Sequence, residues 1–425
     1  MAPQHSPGLA VVADGWFDGE RRHSGPATLT VIDHHITDIA AGDHGQALAA
    51  RGLAVRRGAF LLPGLVDAHV HLFLDGGLTD NKARSEHLKQ PLERLTEAAR
   101  ASARQSLSQG ITLVRDAGDR HGINNRIREE AQRPGSGLVR VRSTGLGIKR
   151  AKRYGAFMAK DVDDAQSIRE SIRSLAASND EIKVILTGII DFDAGAVTDE
   201  PQFTLEEARL VVQTARACGR NTMVHCSGAK GLAIAAAAGV GSIEHGFFMS
   251  RDHLALMAEN RVAWTPTFGP VHFQWSQPQA VGWKPETVGH LRRILDQHAR
   301  HLALARDMGV TLLLGTDAGS MGVQHGHAVF EEIDRFLEAG LSLEETLTAA
   351  TANSRRHFGH THATLRRGAP FDAVLLAQNP FEHISALRRP LKVWCTATGE
   401  RGSCEAVTVT SSKRGASCLK PPGNI

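Results

Sequence analysis

Between residues 61 and 315, short apolar and β-branched runs alternate with longer stretches of helical periodicity, and this alternation limits the fold more tightly than any other feature. The runs are Leu61–Asp67, Ile111–Asp116, Leu138–Ser143, Ile182–Thr187, Thr222–His225, Ser242–His245, Val262–Thr267 and Thr311–Gly315. Helices are predicted between them over 92–108, 122–133, 162–177, 204–217, 229–238, 251–259 and 286–308. Thr204 with Glu207 supplies an N-cap hydroxyl and its reciprocal acid at one helix start. Eight buried strands, each followed by a helix, predict an α/β fold of the (β/α)8 TIM-barrel type. An open, doubly wound sheet is the competing arrangement.

The two ends of the chain read differently. Leu9–Ala13, Ala27–Ile32 and Ile36–Ala40 are short strand-like runs, broken by Asp-Gly pairs and Gly42. After Gly315, residues 327–339 and 343–356 look helical, with Ser342 and Glu345 as a second capping pair. From Gly368 to about Ala397 short-strand texture returns. Residues 1–60 and 365–400 are therefore predicted to form a small discontinuous β-sandwich around a barrel spanning 61–364. Residues 401–425, rich in Ser, Gly, Lys and Pro, are expected to be a flexible tail.

Composition narrows the partners. A net charge of +4 on 425 residues argues against nucleic acid and against a polybasic membrane contact. Five cysteines, odd in number and without a Cys-x-x-Cys spacing, argue against a disulfide framework and fit a reducing cytoplasm. The first residues lack the basic and apolar regions of a secretory signal, and no run is long and apolar enough to span a bilayer. The expectation is a cytoplasmic protein with a small-molecule substrate, no nucleic-acid or membrane partner, and homo-oligomerisation left open.

The chemistry gathers where the apolar runs end. His69 and His71 are separated by one residue, so on a strand both imidazoles face one side. Neutral imidazoles in that arrangement suit a borderline cation such as Zn²⁺. Lys183 lies in the fourth run, His225 ends the fifth, His245 ends the sixth, and Asp317 follows the eighth. Each has a bland reading alone: a hydrogen-bonded histidine, a helix-capping aspartate, a lysine snorkelling from the wall. In a TIM barrel, however, strand ends converge on one mouth, and these six residues together point to a metal site.

The same pieces carry a resemblance. Pro63-Gly-Leu-Val-Asp-Ala-His-Val-His71, Ile182-Lys-Val184, Val224-His-Cys226, Glu244-His-Gly246 and Gly315-Thr-Asp-Ala-Gly319 resemble the amidohydrolase superfamily in its binuclear form. Thr351-Ala-Asn-Ser354 and the segment from Gly368 to Leu375 fit as well, so the resemblance covers about 60–400. It is similar above all to the imidazolonepropionase-related group, with its Xaa-Pro-type dipeptidases, ochratoxin-type amidases, and phenylurea and thiocarbamate hydrolases. The resemblance implies two divalent metal ions, zinc by expectation. His69, His71 and Asp317 would hold the more buried ion, and His225 and His245 the more exposed one. Lys183, carbamylated by CO₂, would bridge both, because a carbamate is an anion and an ammonium cannot ligate. A metal-bridging hydroxide would attack the substrate, Asp317 would carry its proton to the leaving nitrogen, and the exposed metal would polarise the carbonyl.

Two departures narrow the reaction. Gly228 stands where mononuclear aminohydrolases of the superfamily commonly have a glutamate, and Lys183 is present where they typically lack it. Hydrolysis of an amide-type C–N bond (peptide, N-acyl, carbamate or urea-like) therefore leads, and cyclic-amide or lactone hydrolysis or deamination is the alternative. A non-catalytic binding module is disfavoured, since all six ligand positions hold competent residue types.

On the substrate side, the loop Gly147–Gly155 is basic and carries the only tyrosine. Tyr154 is a candidate catalytic donor to the scissile carbonyl, and an Arg or Lys of this loop a candidate for a substrate carboxylate. A solvated loop with a packed ring is an equal reading. Arg115-Asp116 and His325-Gly326 are lesser candidates. The aromatic-rich segment Trp264–Trp283 reads either as a lid or as a loop packed on itself.

Overall fold

The structure, a computed structural model, describes residues 8–396 and shows an α/β fold with parallel-strand sheets. Leu65–Val70, Ile111–Asp116 and Arg140–Ser143 form one parallel sheet. Ala263–Thr265, Ser242–His245, Asn221–Cys226, Glu181–Ile185, Gly147–Lys149 and Ala159–Asp161, in that spatial order, form another. Leu65–Val70, Ile111–Asp116 and Glu181–Ile185 are buried along their whole length, as parallel strands covered on both faces must be. Intervening helices such as Leu92–Ser108, Ala165–Ala176, Leu205–Ala217 and Ala229–Ala238 supply the cover. The capping pairs Thr204/Glu207 and Ser342/Glu345 form as reciprocal boxes, which fixes where those helices begin.

Backbone hydrogen bonds also pass between the two sheets. On one side Asp180 N donates to Ser143 O at 2.8 Å. On the other, Leu313 N donates to Trp264 O at 2.9 Å, and Ala68 N donates to Leu314 O at 2.8 Å. The expected strand Thr311–Gly315 is thus present through isolated pairings rather than a regular ladder. The helical segment that follows competes for its backbone. Asn353 Nδ2 donates to Leu312 O at 3.2 Å, and Leu314 N also approaches Ala349 O at 3.4 Å, beside the π-helical turn Ala349–Asn353.

The first predicted strand divides at Gly64. Leu61–Pro63 ends the strand Ala54–Pro63, and Leu65–Val70 begins a new one. Gly64 permits this crossing because any side chain there would run into Thr112. Ala54–Pro63 belongs to a six-stranded sheet ordered Pro390–Trp394, Ala373–Leu376, Ala54–Pro63, Leu9–Phe17, Arg22–Ile32 and His35–Ala41. The two ends of the chain therefore meet in one sheet, around a cluster containing Val11, Leu29, Ile36, Leu61, Phe371 and Trp394. No helix among the described residues is long and apolar enough to cross a membrane. Cys218, Cys226 and Cys395 are free. The segment expected to be a tail, 401–425, with Cys404 and Cys418, lies outside the described residues.

Candidate metal centre

The six residues singled out at the strand ends converge at one end of the parallel sheets. His69 lies in Leu65–Val70 and His71 just beyond it, Lys183 is the central residue of Glu181–Ile185, and His225 and His245 lie at or next to the ends of their strands. Asp317 Oδ1 is 3.6 Å from His69 Nε2 and 3.6 Å from His71 Nε2. Ligand atoms of His69, His245 and Asp317 lie within 4.8 Å of one another. The His225 ring centroid is 4.6 Å from that of His245. The tightest trio thus takes one histidine from each of the two pairs that the sequence separated.

Each imidazole is held in one orientation by its Nδ1. That of His69 faces Glu244 Oε2 at 2.8 Å, and that of His71 faces Gly118 O at 3.2 Å. His245 Nδ1 faces Thr267 Oγ1 at 2.7 Å, and that hydroxyl itself donates to Pro266 O at 2.8 Å, so the imidazole is the donor. A backbone hydrogen bond to Gly188 holds His225. With the proton fixed on Nδ1, the Nε2 lone pair is free for a cation. His69 Nε2 and His225 Nε2 are in fact buried with no hydrogen-bond partner among the described residues. Burial is the main cause that holds all four histidines well below the usual imidazole range, with His71 and His225 down at about 3. Four neutral imidazoles and a carboxylate, two of the imidazole Nε2 atoms buried without a partner among the described residues, make a donor set suited to a divalent cation.

Lys183 is buried, and its Nζ makes no hydrogen bond or ion pair to the described residues. Burial lowers its pKa to about 8 against the pull of Glu244 and Asp317. Asp317 is shifted the other way, upward, again chiefly by burial.

The backbone is strained around the site. His245, Thr267 and Asp317 have φ of 68°, 57° for the aspartate and 51° for the β-branched threonine, a region such residues rarely enter. Asp67 pins the Asp317 loop, accepting from Thr316 N at 3.0 Å and from Thr316 Oγ1 at 2.6 Å. Gly315 lets this loop close on the first strand, since a Cβ there would sit 2.8 Å from His69 N.

The cavity over these residues measures about 280 Å³. Tyr154 lines it, its ring centroid 5.3 Å from that of His225, and its hydroxyl has no hydrogen-bond partner among the described residues. Burial raises the phenol's pKa, keeping it a donor. Of the aromatic-rich segment, Pro270, Val271 and Gln274 line the cavity, whereas Trp264 is buried and donates to His245 O at 2.9 Å. Three cations of the basic loop are otherwise occupied: Lys149 pairs with Asp161 at 2.5 Å, Arg150 with Glu207, and Arg153 donates to Glu200 O. Arg115 lies beneath the site, not at its mouth, and His325 Nε2 faces Leu74 O at 3.1 Å behind it. Larger hollows of about 430 and 550 Å³ lie on the six-stranded sheet, but neither is lined by an unpartnered buried polar atom among the described residues.

Sequence reasoning passed over Glu244, Thr267 and Arg84. Glu244 sits directly before His245 inside an apolar run, where a buried acid has to find a partner, here His69. Arg84 lines the cavity from a segment with no strand or helix periodicity to draw attention.

The chain is similar to several known proteins. An uncharacterized protein of Mycobacterium tuberculosis is 28% identical over 336 residues, covering 78% of this chain and 83% of its own. Ochratoxinase of Aspergillus niger is 26% identical over 409 residues, covering 88% of this chain and 82% of its own. In fold, the chain is similar to a Xaa-Pro dipeptidase crystallised with methionine in its active site, with a TM-score of 0.77 at 24% identity over 91% of this chain and 98% of that one. The profile of the amidohydrolase family matches residues 60–401. The chain belongs to the amidohydrolase family and is a hydrolytic enzyme.

Proposed function

We propose that the protein is a divalent-metal hydrolase that cleaves an amide-type C–N bond of a small molecule. The carrying observation is the cluster of four histidines, three engaged through Nδ1 and His225 held by Gly188, gathered with Asp317 beneath one cavity. The framework is read as a closed (β/α)8 barrel over 61–364 beside a β-sandwich made by the chain's two ends. The hydrogen bonds that join the two parallel sheets on both sides support closure. His69, His71 and Asp317 would hold one ion and His225 and His245 a second, zinc by preference. Lys183 would lie between them as a carbamate, a reading supported by its unpartnered, buried amine.

Bound ions of this kind polarise carbonyls and lower the pKa of water. The chain's own residues do the rest. Asp317 takes a proton from the attacking water on its carboxylate and delivers it to the leaving nitrogen. Tyr154 donates its hydroxyl hydrogen to the substrate carbonyl oxygen. Phe247, Val271 and Ile190 give the cavity an apolar wall that limits competing water. Relatives named for splitting a dipeptide and for acting on ochratoxin support a C–N target with an apolar flank.

Metal analysis of the purified protein tests this directly, with about two zinc ions per chain expected. Lys183→Ala should lose metal together with activity on a panel of dipeptides, N-acyl amino acids and aryl carbamates. A fully metallated, active Lys183→Ala variant would remove the bridging role, and ammonia as the first product would shift the reaction to deamination.

A further inference from the structure

Apart from Lys183, Arg84 is the only Lys or Arg among the described residues that lines the cavity, and it comes from the short helix Asn81–His87. Its guanidinium is fixed by backbone carbonyls. Nη1 donates to Asp75 O at 3.1 Å and Leu78 O at 3.2 Å, and Nη2 donates to Gly319 O at 3.0 Å. Three of five N–H groups are therefore used, while Nε–H and one Nη2 hydrogen have no partner among the described residues. No carboxylate among the described residues forms an ion pair with it. Asp317 and Asp75 act on it only at longer range, and Asp75 uses its Oδ1 to accept from Gly77 N. Burial lowers the Arg84 pKa, as expected of a partly desolvated cation without a close counter-ion.

A cation held this way serves one purpose well. Backbone carbonyls hold the plane of the guanidinium without neutralising it, and the free Nε/Nη2 edge matches the two oxygens of a carboxylate. Gly319, which anchors Nη2, lies two residues beyond Asp317, so the free charge stands beside the segment that carries the proposed proton carrier. We propose that Arg84 binds a carboxylate of the substrate, which makes the preferred substrate an N-acyl amino acid or a dipeptide with a free C-terminus rather than a neutral carbamate or urea. This rests on the reading of the cavity as the hydrolytic site. The basic loop that the sequence offered for the role has its Lys149 and Arg150 charges paired elsewhere.

The test is a binding titration of the purified holoenzyme with two probes that offer no cleavable C–N bond, N-benzenesulfonyl-L-phenylalanine and its alcohol, N-benzenesulfonyl-L-phenylalaninol. The wild type should prefer the acid, and Arg84→Met should weaken the acid by roughly 10- to 100-fold while leaving the alcohol unchanged. A merely structural Arg84 would lower both affinities together. Equal binding of the two probes by the wild type, equal losses in Arg84→Met, or no binding of either probe overturns the proposal. Acid-selective binding that depends on Arg84, in a protein that cleaves no dipeptide or N-acyl amino acid, would uphold the carboxylate site and overturn the hydrolytic reading instead.

Discussion

Glu244 Oε2 lies 2.8 Å from His69 Nδ1, and the other oxygen of the same carboxylate lies 2.8 Å from Arg115 Nη2. One side chain thereby joins the His69 imidazole to a guanidinium buried beneath the site. Arg115 also bonds to Ala68 O, Glu181, Ser242 and Thr265, so it ties its own strand to four others. The carboxylate fixes the His69 proton on Nδ1, and Arg115 fixes the carboxylate in place.

Glu244→Gln should separate these roles. An amide can accept from His69 with its oxygen, but its NH₂ then faces Arg115 and Ser242 without a matching acceptor on the guanidinium. The variant should remain folded and bind zinc about 10- to 100-fold more weakly, as read by competition with a chromogenic chelator. Wild-type zinc affinity would mean that the Glu244 contact does not orient His69.

Arg115→Met removes the charge while keeping length and apolar bulk. Glu181 retains Arg142, but Glu244 keeps no Lys or Arg within ion-pair distance among the described residues. The expected loss is about 3–5 kcal/mol, because one half of a buried ion network is left behind. Urea unfolding at constant m measures it. A midpoint equal to that of the wild type would show that the network contributes little to holding the strands together.

The sequence made the six strand-end residues visible for a physical reason. A polar side chain interrupting an apolar run has to be satisfied by something, and His69, His71, Lys183, His225, His245 and Asp317 all stood in that position. The residues that orient them were harder to see. Asp67 and Glu244 sit inside the same runs and look like routine buried acids until Thr316 and His69 are found opposite them in space. Helix limits were legible where a cap marked them, as at Thr204 and Ser342. The division at Gly64 was not, since apolar residues continue across it and only the approach of Thr112 explains it. The eighth strand was readable as an apolar run, but part of its backbone bonds instead to Ala349 and Asn353, which lie in a helical segment some forty residues on.

A pH effect should arise at Glu332. Its Oε1 accepts from Phe268 N at 2.9 Å at the start of the cavity-lining helix Gly269–Ser276, while Oε2 is buried without a partner. Burial is the main cause that pushes its pKa from 4.5 up to about 8. The folded state therefore keeps a proton that the unfolded state releases, and stability from this group is full below about pH 4.5 and lost as pH rises through about 8. Glu332→Gln should match the wild type in Tm near pH 5 and exceed it near pH 9, by a few degrees or more. Parallel Tm-against-pH curves for the two proteins would exclude this shift.

Tyr154 gives the most direct test of chemistry inside the cavity. Phenylalanine preserves the ring against His225 and removes only a hydroxyl that has no partner among the described residues. If that hydroxyl donates to the developing oxyanion, Tyr154→Phe should lower kcat/KM about 100-fold with metal content unchanged. The loss should also be flat across neutral pH, because burial raises the phenol's pKa and keeps the proton in place. The split between kcat and KM carries further information. A donor acting on the transition state lowers kcat, whereas a residue that only shapes the ground-state pocket raises KM. Activity within about twofold of the wild type on the best substrate of the panel would leave Tyr154 as a wall of the cavity and return the oxyanion to other donors.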